Sequence, residues 1–366
     1  MKIFHFILGK ANKERANGVN QVISGLCKYS SLNGASIKVI GFASNSNYEG
    51  EVIDRDNFAV KVFSLYRPMF LKNLLEYMKW SDVIHLHGLY NFQNIAVAML
   101  AKRLGKPYVL TLHNGLSPTM SSIKKKLFDY FIQKKHIERA AAIHILALEE
   151  SSEILSRFSP KKFIYAPNGI DLDDIKHINV RKNFDISQKN EIKIGFLGRV
   201  SKEKNIYNLV EALDQVQFDK KNIKFVIASP DSKYLKTILN KDTKLNIDWI
   251  GPKYGDDKYN FIRSLDLFIH PSKADVFSIA AMEVLSIGTP LVITRSSKVA
   301  HFFNTNSFFM SEPTIFGLRH AIEEALIKNN IWESHSANGR RLINTTFNWN
   351  SASLSLIKGY TEILDE

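Results

Sequence analysis

The sequence has little cysteine, few acidic residues and no long apolar run. Its one cysteine, Cys27, cannot form an internal disulfide, which indicates a reducing, cytosolic compartment. No stretch reaches the ~18 consecutive apolar residues that a membrane-spanning helix requires. The opening segment, MKIFHFILGK, has only a short apolar run interrupted by His5, so it predicts a first β-strand and not a secretory signal. We therefore expect a cytoplasmic globular protein.

The shortage of acidic residues leaves a formal charge of +13. The first 173 residues hold 23 Lys/Arg against 14 Asp/Glu, and the remainder hold 26 against 22. A basic surface can attract nucleic acid, anionic lipid or phosphorylated ligands, and charge alone does not choose among them. Because the sequence contains no basic-aromatic recognition motif for nucleic acid, we expect no nucleic-acid partner.

Short apolar runs alternate with amphipathic stretches, a pattern typical of βαβ units around a mainly parallel sheet. A chain of 366 residues suits two such domains. Similar segments, IFHFILG and KIGFLG, open the two halves. The predicted strands are Ile3–Leu8, Ile37–Phe42, Val60–Phe63, Val83–His87, Tyr108–Leu112, Ala142–Ala147, Phe163–Ala166, Ile192–Leu197, Phe225–Ala228, Asp248–Ile250, Leu267–His270 and Leu291–Thr294.

The predicted domain order follows from where this alternation pauses. Residues 1–173 form a first α/β domain, and the polar stretch 174–190 is a linker. Residues 191–348 form a second α/β domain. Residues 349–366 contain a closing helix over Trp349–Leu364, capped by Ser351.

The segment GRVSKEKN follows the strand that opens the second domain. It carries Arg199 and, five residues later, Lys204. A strand end that leads into a helix presents backbone N–H groups and these two cations at one point, which suits a diphosphate. For an isolated Arg and Lys at this spacing, ordinary basic surface is the more frequent explanation.

A second segment, HPSKADVFSIAAMEVLSIGTP, combines two carboxylates with a helix start. A helix is predicted from Phe277 to Ile287, closed by Gly288, and the N–H groups at its start, those of Val276, Phe277, Ser278 and Ile279, can bind phosphate. Asp275 precedes the helix, and Glu283 lies about one and a half turns inside it on the same side. Such carboxylates suit sugar and ribose hydroxyls. The alternative is a capping Asp and a buried, paired Glu.

Together the two segments resemble the C-terminal domain of family-four retaining glycosyltransferases, which have the GT-B fold. The resemblance implies two Rossmann-like, doubly wound domains facing a central cleft, with the closing helix crossing back to the first domain. It implies that Arg199 and Lys204 hold the diphosphate of a nucleotide-sugar donor. Asp275 would hold the donor sugar and Glu283 the nucleotide ribose, beside the helix start at Ser278 and Ile279.

The resemblance extends over nearly the whole chain. HLHGLY (85–90), TLHNG (111–115), APNGIDL (166–172) and NGVNQV (17–22) resemble family segments. They imply that Gly18 belongs to the loop over the donor phosphates, and that His113 lies near the transferred sugar or the acceptor. His87 is a weaker acceptor-side candidate. The nine other histidines are predicted to be structural or merely exposed.

Three positions and one turn depart from the family pattern. Asp275 replaces a glutamate that is one methylene longer, Asn17 replaces the first of two glycines, and Asn205 replaces a glycine after the lysine. The turn 228–231, Ala-Ser-Pro-Asp, replaces a glycine-rich one. No departure removes charge from the phosphate site, so we expect an active enzyme.

Neither a metal nor a redox cofactor is expected. Asp171 and Asp173 have an Asp-x-Asp spacing, but capping of a turn is the simpler explanation, and no His/Cys cluster has zinc spacing. The resemblance implies metal-independent transfer, in which Arg199, Lys204 and a helix dipole neutralise the leaving diphosphate. The Gly-x-Gly-x-x-Gly signature of dinucleotide binding is absent after the first strand.

Two segments of the N-terminal half, Tyr66–Trp80 and Ser121–His136, are amphipathic, basic and aromatic. Such helices can lie in a bilayer interface or can pack an apolar stripe on a sheet. The residues leave this open. The resemblance favours contact with an anionic membrane surface, on the inner face of the cytoplasmic membrane, because many relatives act on lipid or lipid-linked acceptors.

The prediction is a retaining hexosyltransferase of bacterial lipopolysaccharide O-antigen or capsule synthesis. It would move a hexose-type sugar from a nucleotide diphosphate sugar to a glycan or lipid-linked glycan. His113, Asp275, Arg199 and Lys204 are the predicted catalytic residues. The alternative is a non-catalytic nucleotide-sugar-binding protein on the same scaffold.

Overall fold

The computed structural model describes residues 1–9, 18–43, 49–55, 57–64, 68–89, 91–113, 132–219, 221–275, 277–301 and 305–366. These residues form two compact units. Unit 1 comprises Met1–Asn168 and Trp349–Glu366, and unit 2 comprises Gly169–Asn348.

Strands and helices alternate through most of both units, as expected for parallel sheets. The strands are β1 (Lys2–Leu8), β2 (Ser36–Phe42), β3 (Glu49–Arg55), β4 (Phe58–Phe63), β5 (Val83–His87), β6 (Tyr108–Thr111), β7 (Ala142–Ile145), β8 (Phe163–Tyr165), β9 (Glu191–Leu197), β10 (Asn222–Ala228), β11 (Asn246–Trp249), β12 (Leu267–His270), β13 (Leu291–Thr294) and β14 (Phe309–Ser311). The α-helices are α1 (Gly18–Leu32), α2 (Pro68–Trp80), α3 (Phe92–Arg103), α4 (Lys134–Arg139), α5 (Glu149–Leu155), α6 (Leu172–Ile175), α7 (Ile206–Asp214), α8 (Lys233–Leu239), α9 (Gly255–Ser264), α10 (Ile279–Ile287), α11 (Ile315–Ile327), α12 (Trp332–Thr345) and α13 (Trp349–Leu364).

Unit 1 contains an eight-stranded sheet in the order β3-β4-β2-β1-β5-β6-β7-β8 within the described residues. All neighbouring strands are parallel except β3 and β4, which are antiparallel. The central strands are buried on both faces, as in β1, where only the two end residues are exposed. Their side chains pack against helices in two apolar clusters, one on Phe4 and Phe6 and one on Ile7 and Val39.

Helix α13, the last element of the chain, packs within unit 1. Gly25 of α1 lies against the indole of Trp349 so closely that a Cβ there would fall 2.2 Å from the ring. Asn33 donates a 2.7 Å hydrogen bond to the Ser353 hydroxyl. The prediction that the closing helix returns to the first domain is therefore confirmed. The helix begins at Trp349, so the predicted cap at Ser351 is wrong: Ser351 lies inside the first turn.

Unit 2 contains a six-stranded parallel sheet in the order β11-β10-β9-β12-β13-β14 within the described residues. Helix α7 shows how the sequence builds this layer. Ile206, Leu209, Val210 and Leu213 recur at helical spacing, and all four are buried in the core of the unit. Helix α10 is apolar on most of its surface and is correspondingly buried over Ala281–Ile287.

The predicted linker, residues 174–190, lies in unit 2. Ile186 belongs to the core of that unit. Arg181 is buried and pairs with Asp266 at 3.1 Å, and Lys189 pairs with the same carboxylate. At the ends of the unit, the Ile170 N–H donates to the Phe347 carbonyl at 2.9 Å. These contacts tie the segment to the second sheet.

The two amphipathic segments differ in how much the structure describes. Helix α2 buries Phe70, Leu74 and Met78 in the core of unit 1, while Met69 and Leu71 are 56% and 49% exposed. Most of Ser121–His136 lies outside the described residues. Among the helices that the structure does describe, none combines the length and the apolar character needed to cross a bilayer.

The twelve predicted strands all exist, with ends shifted by up to three residues. Two further strands, β3 and β14, were missed. β3 reads EGEVIDR, whose charges hide the strand pattern, and it occupies the edge of its sheet, where charged residues are common. β14 is only three residues long. The fold prediction of two parallel-sheet α/β domains is confirmed.

Candidate functional site

The loop after β9 presents the first two predicted site residues. Gly198 follows the strand with φ 138°, and its N–H donates to the Ala228 carbonyl at 3.0 Å. Arg199 is exposed and Lys204 is half-buried. Asn205, at the position where glycine is usual, has a left-handed backbone with φ 60°. Asn tolerates this conformation better than most residues, which explains why it can replace glycine there.

Lys204 and Asp275 form a close ion pair. The Nζ atom of Lys204 lies 2.5 Å from Oδ2 of Asp275, and Nε2 of His270 lies 3.2 Å from the same oxygen. Burial would raise the pKa of Asp275, but the charge of Lys204 and the His270 hydrogen bond outweigh it and hold that pKa well below its usual range. The Asp275 carboxylate is therefore ionised at neutral pH.

Helix α10 begins immediately after this pair. Ser278 is its N-cap, and the Ser278 hydroxyl accepts a 3.1 Å hydrogen bond from the Ala281 N–H. The helix starts at Ile279, two residues later than predicted, because Ser278 has an extended backbone. Val276, which was predicted to contribute to this helix start, lies outside the described residues. Gly288 closes the helix in a left-handed conformation, as predicted.

Glu283 lies inside α10 and is 4% exposed. Its Oε1 atom is 2.5 Å from Nζ of Lys258, which belongs to the neighbouring helix α9. The Lys258 ammonium also lies 4.4 Å from the centre of the Tyr259 ring. Glu283 is thus a buried, paired carboxylate, and its second oxygen, Oε2, is the one that a ligand hydroxyl could engage.

Arg199, Lys204 and Asp275 follow the carboxyl ends of the strands β9 and β12, which is where parallel sheets bind ligands. A lysine ammonium carries three donor hydrogens, so Lys204 can bind Asp275 and still donate to phosphate oxygens. The exposed Arg199 adds a planar pair of donors. The arrangement offers positive charge for a diphosphate beside carboxylates that can accept hydrogen bonds from hydroxyl groups.

Unit 1 contains the two predicted histidines in one hydrogen-bonded row. Nε2 of His113 lies 3.1 Å from Nδ1 of His87, and Nε2 of His87 lies 3.0 Å from Nδ1 of His5. His87 is 3% exposed, whereas His113 is half-buried and has a left-handed backbone with φ 45°. Burial lowers the pKa of His113 and of His5 to about 3, and it lowers that of His87 as well, so the row is neutral.

A second row runs beside the first. The Tyr360 hydroxyl lies 2.6 Å from Nδ1 of His85, whose Nε2 lies 2.6 Å from the Thr111 hydroxyl. That hydroxyl lies 2.8 Å from Nδ1 of His144, whose Nε2 lies 2.8 Å from the Ala166 carbonyl. The carbonyl can only accept, so His144 carries its proton on Nε2. Because burial keeps His144 neutral, with a pKa of about 4, every donor in the row is then assigned, ending with the Tyr360 hydroxyl donating to His85.

His5, His85 and His87 also offer nitrogen atoms within 4.8 Å of one another, close enough to share a metal ion. Both ring nitrogens of His85 and of His87 already take part in hydrogen bonds. A metal would have to displace several of these bonds. The geometry therefore fits two hydrogen-bonded rows better than a metal centre.

Sequence reasoning missed several of these residues. Lys258 reaches Glu283 from another helix, and no local pattern marks it. His5, His85 and His144 were predicted to be structural or merely exposed, and they join the rows because parallel strands bring them together. His270 had a signal, since it ends β12 five residues before Asp275. Gly18 begins α1, while Asn17 and Asn114–Gly115 lie outside the described residues. Asp171 caps α6, as predicted, by accepting from the Asp173 N–H.

Comparison with known protein families supplies the class. A model described as Glycosyl transferases group 1 matches residues 179–342, and one described as Glycosyltransferase Family 4 matches residues 16–174. Together these two matches cover most of the chain. The chain belongs to the GT-B glycosyltransferases of family 4. The resemblance predicted from the sequence segments is confirmed at the level of this group.

Curated relatives of this glycosyltransferase are distant. An uncharacterized glycosyltransferase of Methanocaldococcus jannaschii is 22% identical over 80% of this chain and 79% of its own length. The lipopolysaccharide 1,2-N-acetylglucosaminetransferase of Salmonella typhimurium is 23% identical over 56% of this chain and 54% of its own. The O-antigen biosynthesis glycosyltransferase WclY of Escherichia coli is 23% identical over 61% of this chain and 64% of its own length. The chain thus spans less than two thirds of the length of the last two.

Solved structures share the fold at low identity. Sucrose-phosphate synthase from Thermosynechococcus elongatus superposes with a TM-score of 0.80 at 14% identity, over 100% of both chains. HepE of Anabaena, solved in complex with UDP-glucose, gives 0.74 at 16% identity, over 99% of this chain and 100% of its own. WaaG, a glycosyltransferase involved in lipopolysaccharide biosynthesis, superposes with a TM-score of 0.71 at 14% identity, over 98% of this chain and 99% of its own.

Proposed function

We propose that this glycosyltransferase moves a hexose-type sugar, with retention of configuration, from a nucleotide diphosphate sugar to a glycan or lipid-linked glycan in bacterial surface polysaccharide synthesis. The observation that carries the proposal is the charged group of unit 2, in which Lys204, Asp275 and the start of α10 lie together at the strand ends. The curated relatives named for lipopolysaccharide and O-antigen synthesis support the setting.

The donor is assigned to unit 2. Arg199 and Lys204 donate to the diphosphate, and the helix start at Ser278 and Ile279 adds backbone N–H groups. Asp275 accepts hydrogen bonds from the sugar hydroxyls, and Glu283 accepts from the ribose through Oε2. As the glycosidic bond breaks, negative charge grows on the leaving diphosphate, so the cations stabilise the transition state more than the bound donor.

The residues that act on the acceptor are assigned to unit 1. A ring nitrogen of His113 forms a hydrogen bond with the donor sugar or with the acceptor hydroxyl. Gly18 belongs to the loop that contacts the donor phosphates. His87 acts through His113, because both of its own ring nitrogens are already engaged. Transfer requires no metal in this proposal, since Arg199, Lys204 and the helix dipole supply the positive charge. Activity that survives exhaustive chelation is the matching test.

The experiment is a turnover screen of the purified chain against UDP-, GDP- and ADP-linked sugars, with thermal shift as the binding readout. A donor that stabilises the protein and is slowly hydrolysed to the nucleoside diphosphate supports a transferase and names the donor. Stabilisation by a sugar nucleotide without any turnover, even with acceptor glycans present, would instead favour the non-catalytic nucleotide-sugar-binding protein.

The acceptor side extends to a membrane surface in this proposal. Helix α2 exposes Met69 and Leu71 beside Lys72, a combination that suits an anionic bilayer interface. Flotation with liposomes containing anionic lipid should recover the protein at low salt. Failure to float at low salt would remove the membrane from the proposal and leave the transfer reaction untouched.

A further inference from the structure

The row His5–His87–His113 has two self-consistent arrangements of its protons. Each contact joins two ring nitrogens, so one nitrogen of each pair must donate and the other accept. If His5 carries its proton on Nδ1, then His87 and His113 carry theirs on Nδ1 as well. If His5 carries it on Nε2, all three carry it on Nε2. The outer nitrogen of His113 is a donor in the first arrangement and an acceptor in the second.

The buried end of the row distinguishes these arrangements. His5 is completely buried, and within the described part of the chain its Nε2 has no hydrogen-bond partner. Either arrangement leaves Nε2 of His5 unpaired, but buried N–H groups without an acceptor are rarer in proteins than buried acceptors without a donor. His113, in contrast, is half-buried, so water or a substrate oxygen can accept from it. The first arrangement puts the outward-facing proton at the end where acceptors exist.

We propose that His5 and His87 are positioning residues that hold the proton of His113 on Nδ1, so that His113 presents a hydrogen-bond donor to the sugar or acceptor oxygen. Three neutral rings then share one direction: His5 donates to His87, His87 donates to His113, and His113 donates outward. The inference rests on the proposed function for what His113 touches, but the proton positions belong to the free protein.

The consequence for the reaction is a restriction on His113. Its Nε2 lone pair accepts from His87, and its Nδ1 carries the proton, so neither nitrogen can take a proton from an acceptor hydroxyl. His113 therefore orients an oxygen by donating to it and does not serve as a general base. His113 also has a left-handed backbone, which is uncommon for a residue other than glycine.

The neighbouring row provides an internal reference. His85 and His144 carry their protons on Nε2, because the Ala166 carbonyl determines the direction of that row. The rings of His85 and His87 stack with their centres 4.2 Å apart, yet they are assigned opposite protonation sites. Two adjacent histidines with different tautomers make a distinctive spectroscopic signature.

The test is two-bond nitrogen–proton correlation NMR on free protein labelled with ¹⁵N-histidine, assigned with single variants. We expect protonated Nδ1 in His5, His87 and His113 and protonated Nε2 in His85 and His144. A proton on Nε2 of His113 would overturn the inference. So would stoichiometric zinc in the purified protein that shifts the His5, His85 and His87 signals, since ligation would break the row.

Matched variants connect the tautomer to activity. His5→Phe removes the donor at the start of the row, and we expect a mixed His113 tautomer with kcat/KM lowered about tenfold, equivalent to ~1.4 kcal/mol. His5→Asn places an amide N–H near the position of Nδ1 and should restore both the single His113 tautomer and kcat/KM. Equal losses in the two variants, with an unchanged His113 tautomer, would reduce His5 to a packing role and overturn the proposal. His320→Gln, at an exposed histidine, is the control.

The two proposals fail separately. If the protein shows the predicted tautomers but transfers no sugar, the proposed function is refuted and the inferred proton positions of His5, His87 and His113 are supported. If the protein transfers sugar but His113 carries its proton on Nε2, the inferred proton positions are refuted and the proposed function is supported.

Discussion

In unit 2 the segments after two strands carry an ion pair, whereas in unit 1 the strands themselves carry neutral imidazoles. Lys204 and Asp275 form an ion pair whose side chains are 28% and 15% exposed. His5, His85 and His144 are buried, and burial lowers the pKa of each. Lys204 and Asp275 lie in the segments that follow β9 and β12, whereas His5, His85 and His144 lie within β1, β5 and β7.

The comparison shows how one scaffold prepares two kinds of binding surface. A cation that keeps part of its solvent contact remains charged and can attract a diphosphate. A histidine buried among others becomes neutral, and its ring then offers directional donors and acceptors suited to uncharged hydroxyls. A partner of opposite charge, more than exposure, separates the two, since the buried Glu283 of unit 2 is paired with Lys258. The following predictions test this contrast, beginning with the largest expected effect.

Lys204→Ala should reduce sugar transfer by about 10²–10³-fold, because it removes a cation proposed to stabilise the leaving diphosphate and leaves Asp275 without its lysine partner. The measurement is kcat/KM with the donor found by the screen. Lys202→Ala is the matched control, since Lys202 is exposed in the same loop. A Lys204→Ala variant that is folded and retains near-wild-type activity would contradict the charged half of the comparison.

Glu283→Gln should weaken nucleotide binding by about 10- to 100-fold and change sugar preference little, since a charged hydrogen bond contributes about 1.5–3 kcal/mol. Titration calorimetry with the nucleoside diphosphate alone gives the Kd. Lys258→Met supplies the companion variant, because it leaves the buried Glu283 unpaired. If Glu283→Gln alters only the ranking of donor sugars, the assignment of Glu283 to the ribose is wrong.

As pH falls, unit 1 should lose stability before unit 2 does. The pKa of His5 and of His113 is lowered in the folded protein from 6.5 to about 3, so the unfolded chain binds more protons below pH 6.5. The stability that these two neutral histidines contribute is therefore fully present above pH 6.5 and is lost as pH falls towards 3. Hydrogen exchange should show β1 and β5 losing protection faster between pH 7 and 5 than β9 and β10. Equal losses in all four strands would contradict the neutral half of the comparison.

Asn205→Ala should have the smallest effect, a destabilisation of about 1–2 kcal/mol, because alanine is disfavoured at φ 60°. The variant also loses the 2.9 Å hydrogen bond from Asn205 to the Pro313 carbonyl. Asn205→Gly is the control, since glycine adopts this backbone freely. Chemical denaturation of both variants gives the difference, and an Ala variant at least as stable as the Gly variant would show that the turn is not strained.

Much of the fold and part of the site could be predicted because the signals are local. Each predicted strand is an apolar run in sequence, and Gly288 with Pro290 marks the end of α10 from neighbouring residues alone. Arg199, Lys204, Asp275 and Glu283 could be proposed from two short segments. Such signals need no knowledge of which strand lies beside which.

The remaining site residues depend on long-range register. His5 and His85 are register partners on β1 and β5, and Thr111 of β6 is the register partner of both His87 and His144. His5 and His87 are 82 positions apart in sequence, so no window of the chain contains the row. The pairing of Lys258 with Glu283 likewise needs the packing of α9 on α10.

One connection in unit 2 makes this unit separable. The bond between the Ile170 N–H and the Phe347 carbonyl places the beginning and the end of unit 2 side by side. A segment whose termini already touch can be cut out, closed with a short peptide or inserted into another host with little chain entropy to overcome. Residues 169–348 could therefore be produced as a stand-alone unit, in which the proposed binding of a nucleotide sugar is measured without any transfer taking place.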